Sequence, residues 1–101
     1  MKKVTKTKLL SKETVIYTAF RKEKGKILDF YVGLYHWTEN KLQEIARWDG
    51  SHQVAHCHFL DNRTDFPELD YNEALNLAER DFQGNFKQYL LEFEQWLKKR
   101  K

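Results

Sequence analysis

Residues 70–99 read DYNEALNLAERDFQGNFKQYLLEFEQWLKK, and the spacing of their apolar side chains decides the fold class. Tyr71, Leu75, Ala78, Phe82, Phe86, Tyr89, Phe93 and Trp96 recur in steps of three and four, the signature of one helical face. Asp70 stands where an N-cap is needed, and Glu73 follows three residues later, a capping-box spacing. The pattern predicts a helix over about 71–99 that keeps one phase through Gly84. Glycine there costs roughly 1 kcal/mol against alanine, a weak point or kink rather than a boundary. Such a helix is about 43 Å long at 1.5 Å per residue. A small sheet covers less than that, so the expectation is a bend at Gly84 or packing of the far end on another subunit.

Upstream, the periodicity changes. The single proline, Pro67, separates the helix from segments that alternate with period two. Thr14–Lys22 is rich in β-branched and aromatic residues and ends in a turn over 23–26. Ile27–Trp37 follows, with Leu28, Phe30, Val32 and Leu34 on one face and Tyr31, Tyr35 and Trp37 on the other. Leu42–Asp49 and His52–Leu60 form a hairpin around Gly50-Ser51, and Lys3–Leu10 adds an edge strand. The expected architecture is α+β: an antiparallel meander of four to five strands over about 3–60, with a long C-terminal helix packed on one face. With 101 residues, it forms a single domain spanning 1–101.

Composition removes several classes. Apolar residues make up 41% and aromatics 15%, enough for a core without a disulfide or structural metal. No apolar run approaches the ~18 residues of a membrane span, and no signal region follows the first lysines. Cys57 is the only cysteine, which excludes an internal disulfide. A cytoplasmic location without membrane contact is expected. Charge is uneven: residues 1–26 hold nine Lys/Arg and two Glu (+7), and residues 27–101 hold nine Lys/Arg and thirteen Asp/Glu (−4). The lysine-rich arm suits nucleic acid or an acidic protein, or simply an edge strand that resists aggregation.

The segment Arg47–His58, RWDGSHQVAHCH, gathers the chemistry. With Gly50-Ser51 as a two-residue turn, Asp49 opposes His52, Arg47 opposes Val54, Ile45 opposes His56 and Gln43 opposes His58. That register places Arg47, Asp49, His52, His56 and His58 on one face, and Leu42, Ala46, Trp48, Ala55, Cys57 and Phe59 on the core side. Histidines titrate near neutrality and serve as acid and base. Arginine holds a phosphate, and aspartate orients an imidazole. This set suits metal-independent cleavage of an RNA phosphodiester, with no cofactor implied. Tyr31, Tyr35 and Trp37 offer stacking surfaces for bases if they share the histidine face. Two other readings use the same residues: a metal site on His52, His56 and His58, completed by Asp49, and a structural cluster within an interaction module that forms a homodimer through Phe86, Tyr89, Phe93 and Trp96. His36 reads as a strand-end residue, and Asp81 and Asn85 as solvated helix positions.

Residues 47–89 resemble a family of small uncharacterised prokaryotic proteins. That family pairs an Arg-(Trp/Tyr)-Asp-x-x-His-x-x-x-His hairpin with a helix reading Asn-Glu-Ala-Leu-x-x-Ala-x-x-Asp-x-x-x-Asn. A weaker resemblance links the chain to the TumE-like toxins of type II toxin–antitoxin systems, which carry an Arg-(Trp/Tyr)-Asp-Asn stretch, a His-x-His pair and a C-terminal helix. Gly50 stands where those toxins usually have Asn. The resemblance implies action on RNA or nucleotides, an antitoxin partner, and functional roles for Arg47, Asp49, His56 and His58.

Overall fold

The computed structural model of the chain describes residues 1–51 and 53–100. Six strands form one antiparallel sheet in chain order: β1 (Lys2–Leu9), β2 (Thr14–Glu23), β3 (Lys26–Thr38), β4 (Lys41–Ser51), β5 (Val54–Phe59) and β6 (Asn62–Phe66). One helix, α1 (Tyr71–Lys99), follows. The class is α+β as expected, but the meander has six strands rather than four to five. The added strand, β6, reads NRTDF and is exposed at all but its last residue. It carries no apolar alternation to announce it; Leu60, at φ 57°, turns the chain so that Asn62 pairs with Phe59.

The capping box forms as read. Asp70 Oδ1 accepts from the Glu73 amide at 2.8 Å, and Glu73 Oε1 accepts from the Asp70 amide at 3.1 Å. The helix runs through Gly84 without a break. A long sheet covers it: the 13 residues of β3 extend about 43 Å, the same as 29 helical residues. Phe82 and Phe93 are buried against that sheet together with Val32, Leu34, Ala46 and Trp48. Tyr89 packs edge-on to Phe59 and Phe82, and Trp96 donates from Nε1 to Asp61 at 3.1 Å. Polar ties reinforce the helix–sheet contact. Buried Thr18 donates to Glu79 at 3.1 Å, and Lys6 of β1 pairs with Glu79 at 3.2 Å.

Asp81, read from sequence as solvated, is a tie of the same kind. It accepts from Trp48 Nε1 at 3.4 Å, from Asn85 at 3.0 Å and from the Tyr89 hydroxyl. Asp81 therefore anchors the back of β4, whereas Asn85 is exposed, as read, and touches β4 only through Asp81. His36 shares a hydrogen bond with the buried Thr14 hydroxyl at 2.8 Å. Cys57 packs against the core, and burial, followed by the Asp81 charge, pushes its thiol up to about 12, which makes it a poor nucleophile.

Candidate active site

Two local irregularities build the site. The first is the β4–β5 register. The strands pair as Ser51↔Val54, Asp49↔His56 and Arg47↔His58, so the turn falls two residues later than Gly50-Ser51. Gly50 instead lies within β4 and faces the helix side, where a Cβ would meet the Tyr71 ring at 2.5 Å. Moving the turn by two residues moves every partner by four, an even number that leaves each side chain on its expected face. Arg47 now directly opposes His58, and Asp49 directly opposes His56.

The second is a β-bulge. Leu34 pairs with Ala46 but Tyr35 pairs with Glu44, which leaves Ile45 as an extra residue in β4. The bulge reverses the alternation below it. Ile45, expected beside His56, is buried in the core, and Leu42, expected in the core, is 49% exposed. Glu44 is thereby carried onto the histidine face, where sequence parity did not place it.

The helix covers the opposite face. Cross-strand pairing aligns Ala19–Tyr31–Asp49–His56–Asp65 in one row and Tyr17–Gly33–Arg47–His58–Arg63 in the next. Trp48 and Cys57, between them in sequence, point to α1. Tyr31, Tyr35 and Trp37 therefore do share the histidine face. Four of the five predicted site residues meet there; the fifth, His52, lies outside the described residues.

A polar network joins them. Arg47 donates from Nε to Asp49 Oδ2 and from Nη1 to Glu44 Oε1, both at 3.1 Å. His56 Nε2 stands 2.5 Å from Asp49 Oδ1, and His58 Nε2 stands 4.0 Å from the same oxygen. Arg63 Nη2 reaches His56 Nδ1 at 3.5 Å. A guanidinium only donates, so that contact leaves Nδ1 as the acceptor and puts the His56 proton on Nε2, toward Asp49. The Tyr31 hydroxyl donates to Glu44 Oε2 at 2.5 Å and accepts from the Tyr35 hydroxyl, which stands 3.4 Å from the same carboxylate oxygen. Gly33 leaves room for these rings, since a Cβ there would meet the Tyr31 hydroxyl at 2.5 Å.

Exposure separates the two histidines. The His56 side chain is 3% exposed, whereas those of His58 and Arg47 are 26% and 38% exposed. Burial, followed by the neighbouring Arg47 charge, holds His58 below the ordinary imidazole value. Burial opposes the Arg47 charge, but its hydrogen bonds to Glu44 and Asp49 outweigh it and raise the guanidinium further. Burial and the hydrogen bond to Glu44 push the Tyr31 phenol well above its usual range, so it stays a donor.

The same residues include a metal-capable donor set: Asp49, His56 and His58 each offer a ligand atom, all within 4.8 Å of one another. Two imidazoles and a carboxylate suit a first-row divalent ion. An ion would have to part the Asp49–His56 contact, because atoms sharing a tetrahedral ion about 2.1 Å away lie more than 3 Å apart.

Over residues 1–99 the chain matches a domain of unknown function, DUF7718. The chain belongs to the DUF7718 family. No curated protein and no solved structure matches it. The match covers both the sheet and the helix. Among the described residues, no helix is long and apolar enough to cross a membrane.

Proposed function

We propose that this protein is a small toxin-like ribonuclease that cleaves the RNA backbone without a metal. The observation that carries the reading is the direct opposition of Arg47 to His58, beside Asp49 and His56, on a face the helix leaves open. His58, held neutral near pH 7, takes the proton of a ribose 2′-hydroxyl. The 2′-oxygen attacks phosphorus, the bond to the 5′-oxygen breaks, and a 2′,3′-cyclic phosphate forms. The departing 5′-oxygen takes a proton from solvent, to which the face is open. Arg47 opposes the charge on the non-bridging oxygens.

Asp49 and His56 are positioning residues. His56, read from sequence with His58 as one of the acid–base pair, is buried beside Asp49, and Asp49 contacts both it and Arg47. The resemblance to TumE-like toxins supports the same assignment. On this reading the protein acts on cytoplasmic RNA, and an acidic antitoxin covers the lysine-rich edge strand β1. The test is incubation of a single-stranded RNA oligonucleotide with the protein in excess EDTA. Cleavage that leaves a cyclic phosphate and disappears in His58→Ala is expected; an uncut oligonucleotide would overturn the reading.

A second reading, a divalent metal centre on Asp49, His56 and His58, is favoured by the convergence of their ligand atoms. It predicts stoichiometric zinc in untagged protein and a rise in melting temperature on zinc addition that His58→Ala removes.

A further inference from the structure

The strands β4 and β5 differ in length, and the mismatch opens a notch. Pairing of β4 with β5 ends at Ala46↔Phe59, so among the described residues the stretch of β4 from 41 to 45 has no strand partner on that side. The C-terminal half of α1 passes beneath it. The result is a notch of about 260 Å³ whose walls include Gln43, Glu44, Arg47, His58, Phe93 and Trp96. It is the place where both groups of the proposed chemistry, Arg47 and His58, border a cavity shared with the helix. Its size falls just below that of cavities built for drug-sized ligands, which suits a single planar ring system.

We propose that this notch binds one unpaired nucleobase of the RNA substrate, next to the scissile phosphate. The inference rests on the ribonuclease reading for its substrate and adds where the base goes. Three features fit a base. Trp96, half-buried, supplies an aromatic wall backed by the buried Phe93, with ring centroids 5.7 Å apart, and Trp96 is held by Asp61 on its nitrogen and by Arg100 4.5 Å over its ring. The unpaired edge of β4 presents backbone donors and acceptors, the kind of edge that reads a base by hydrogen bonds. Glu44 and Gln43 add side-chain acceptors at the rim, with Gln43 Oε1 accepting from Thr38 at 2.9 Å. A base in the notch places its own phosphate beside Arg47 and His58. A paired base cannot enter, so the substrate is single-stranded.

The test is calorimetric titration with the four 3′-nucleoside monophosphates and, separately, with inorganic phosphate. A nucleotide is expected to bind at least ten-fold tighter than phosphate, a gain of the size of one base–aromatic stack. Trp96→Ala should remove most of that gain and leave phosphate binding unchanged. Gln43→Phe, which fills the notch from the sheet side, should do the same should Trp96→Ala fail to fold. Equal affinity for nucleotide and phosphate, or nucleotide binding unaffected by Gln43→Phe, overturns the inference. Cleavage of RNA by a protein that binds nucleotide no better than phosphate would sink the notch and spare the ribonuclease. Notch-dependent nucleotide binding without cleavage would do the reverse.

Discussion

Trp48 and Asp49 are neighbours in β4 and face opposite ways. Trp48 is 4% exposed, stacks on Phe66 and is tied through Asp81 to the helix. Asp49 sits between Tyr31 and His56 in a network of charges on the face opposite the helix. The helix side of the sheet holds Val32, Leu34, Ala55 and Phe82, none of them exposed beyond 2%. The other side holds Arg47, Asp49, Glu44, His56, His58, Arg63 and Asp65 with two hydrogen-bonded tyrosines. One face is closed and apolar, and its burial holds the fold together. The other concentrates titratable groups around the buried His56, with Arg47, Asp49 and His58 partly exposed, which is where chemistry is found.

If the two faces divide the work in this way, substitutions on them should separate cleanly. The largest effect is expected from His58→Ala: RNA cleavage should fall about 10²–10⁴-fold, the range of a lost general base, with little change in melting temperature. Loss of folding with loss of activity would collapse the distinction. Phe82→Ala should do the opposite, lowering stability by about 3–5 kcal/mol in denaturant unfolding, since the ring is fully buried.

Gly50→Ala comes next. Its Cβ would meet the Tyr71 ring, so a cost of about 1–3 kcal/mol is expected. The cost should shrink in a Tyr71→Ala background, and a double-mutant cycle measures that coupling. The smallest effect concerns pH. Folded His58 takes up its proton below the ordinary imidazole value, whereas the unfolded chain does so near 6.5. The unfolded state then binds more protons in that window. The contribution of this group to stability therefore falls as pH drops through about 6.5, and levels off below the folded value. The acid limb of the rate profile should lie below 6.5 for the same reason, and a limb above it would contradict the assignment.

Much of this was legible in the residues. The helix bounds, the capping box and the separation of Arg47, Asp49, His56 and His58 from Trp48 and Cys57 follow from periodicity and capping chemistry, and the separation survives a register shift of four. What was not legible is what periodicity cannot carry. The bulge at Ile45 breaks the alternation without a glycine or proline to mark it, and it alone delivers Glu44 to the site. The turn position depended on Gly50, whose lack of a side chain serves Tyr71, a residue twenty-one positions further on. The strand β6 is polar because it lies at the edge, and no alternation reveals it. Which face the helix covers is a tertiary fact, set by Trp48, Asp81 and Phe82 together.

The most direct measurement follows the histidine rings by NMR while a 3′-nucleoside monophosphate is added. His58 lies on the uncovered face, and His36 on the helix side beside Thr14 serves as the internal reference. The account predicts that the His58 signals move with added nucleotide, and titrate below pH 6.5 without it, while His36 does not respond to the nucleotide. Silence of His58 with a response at His36 would contradict it.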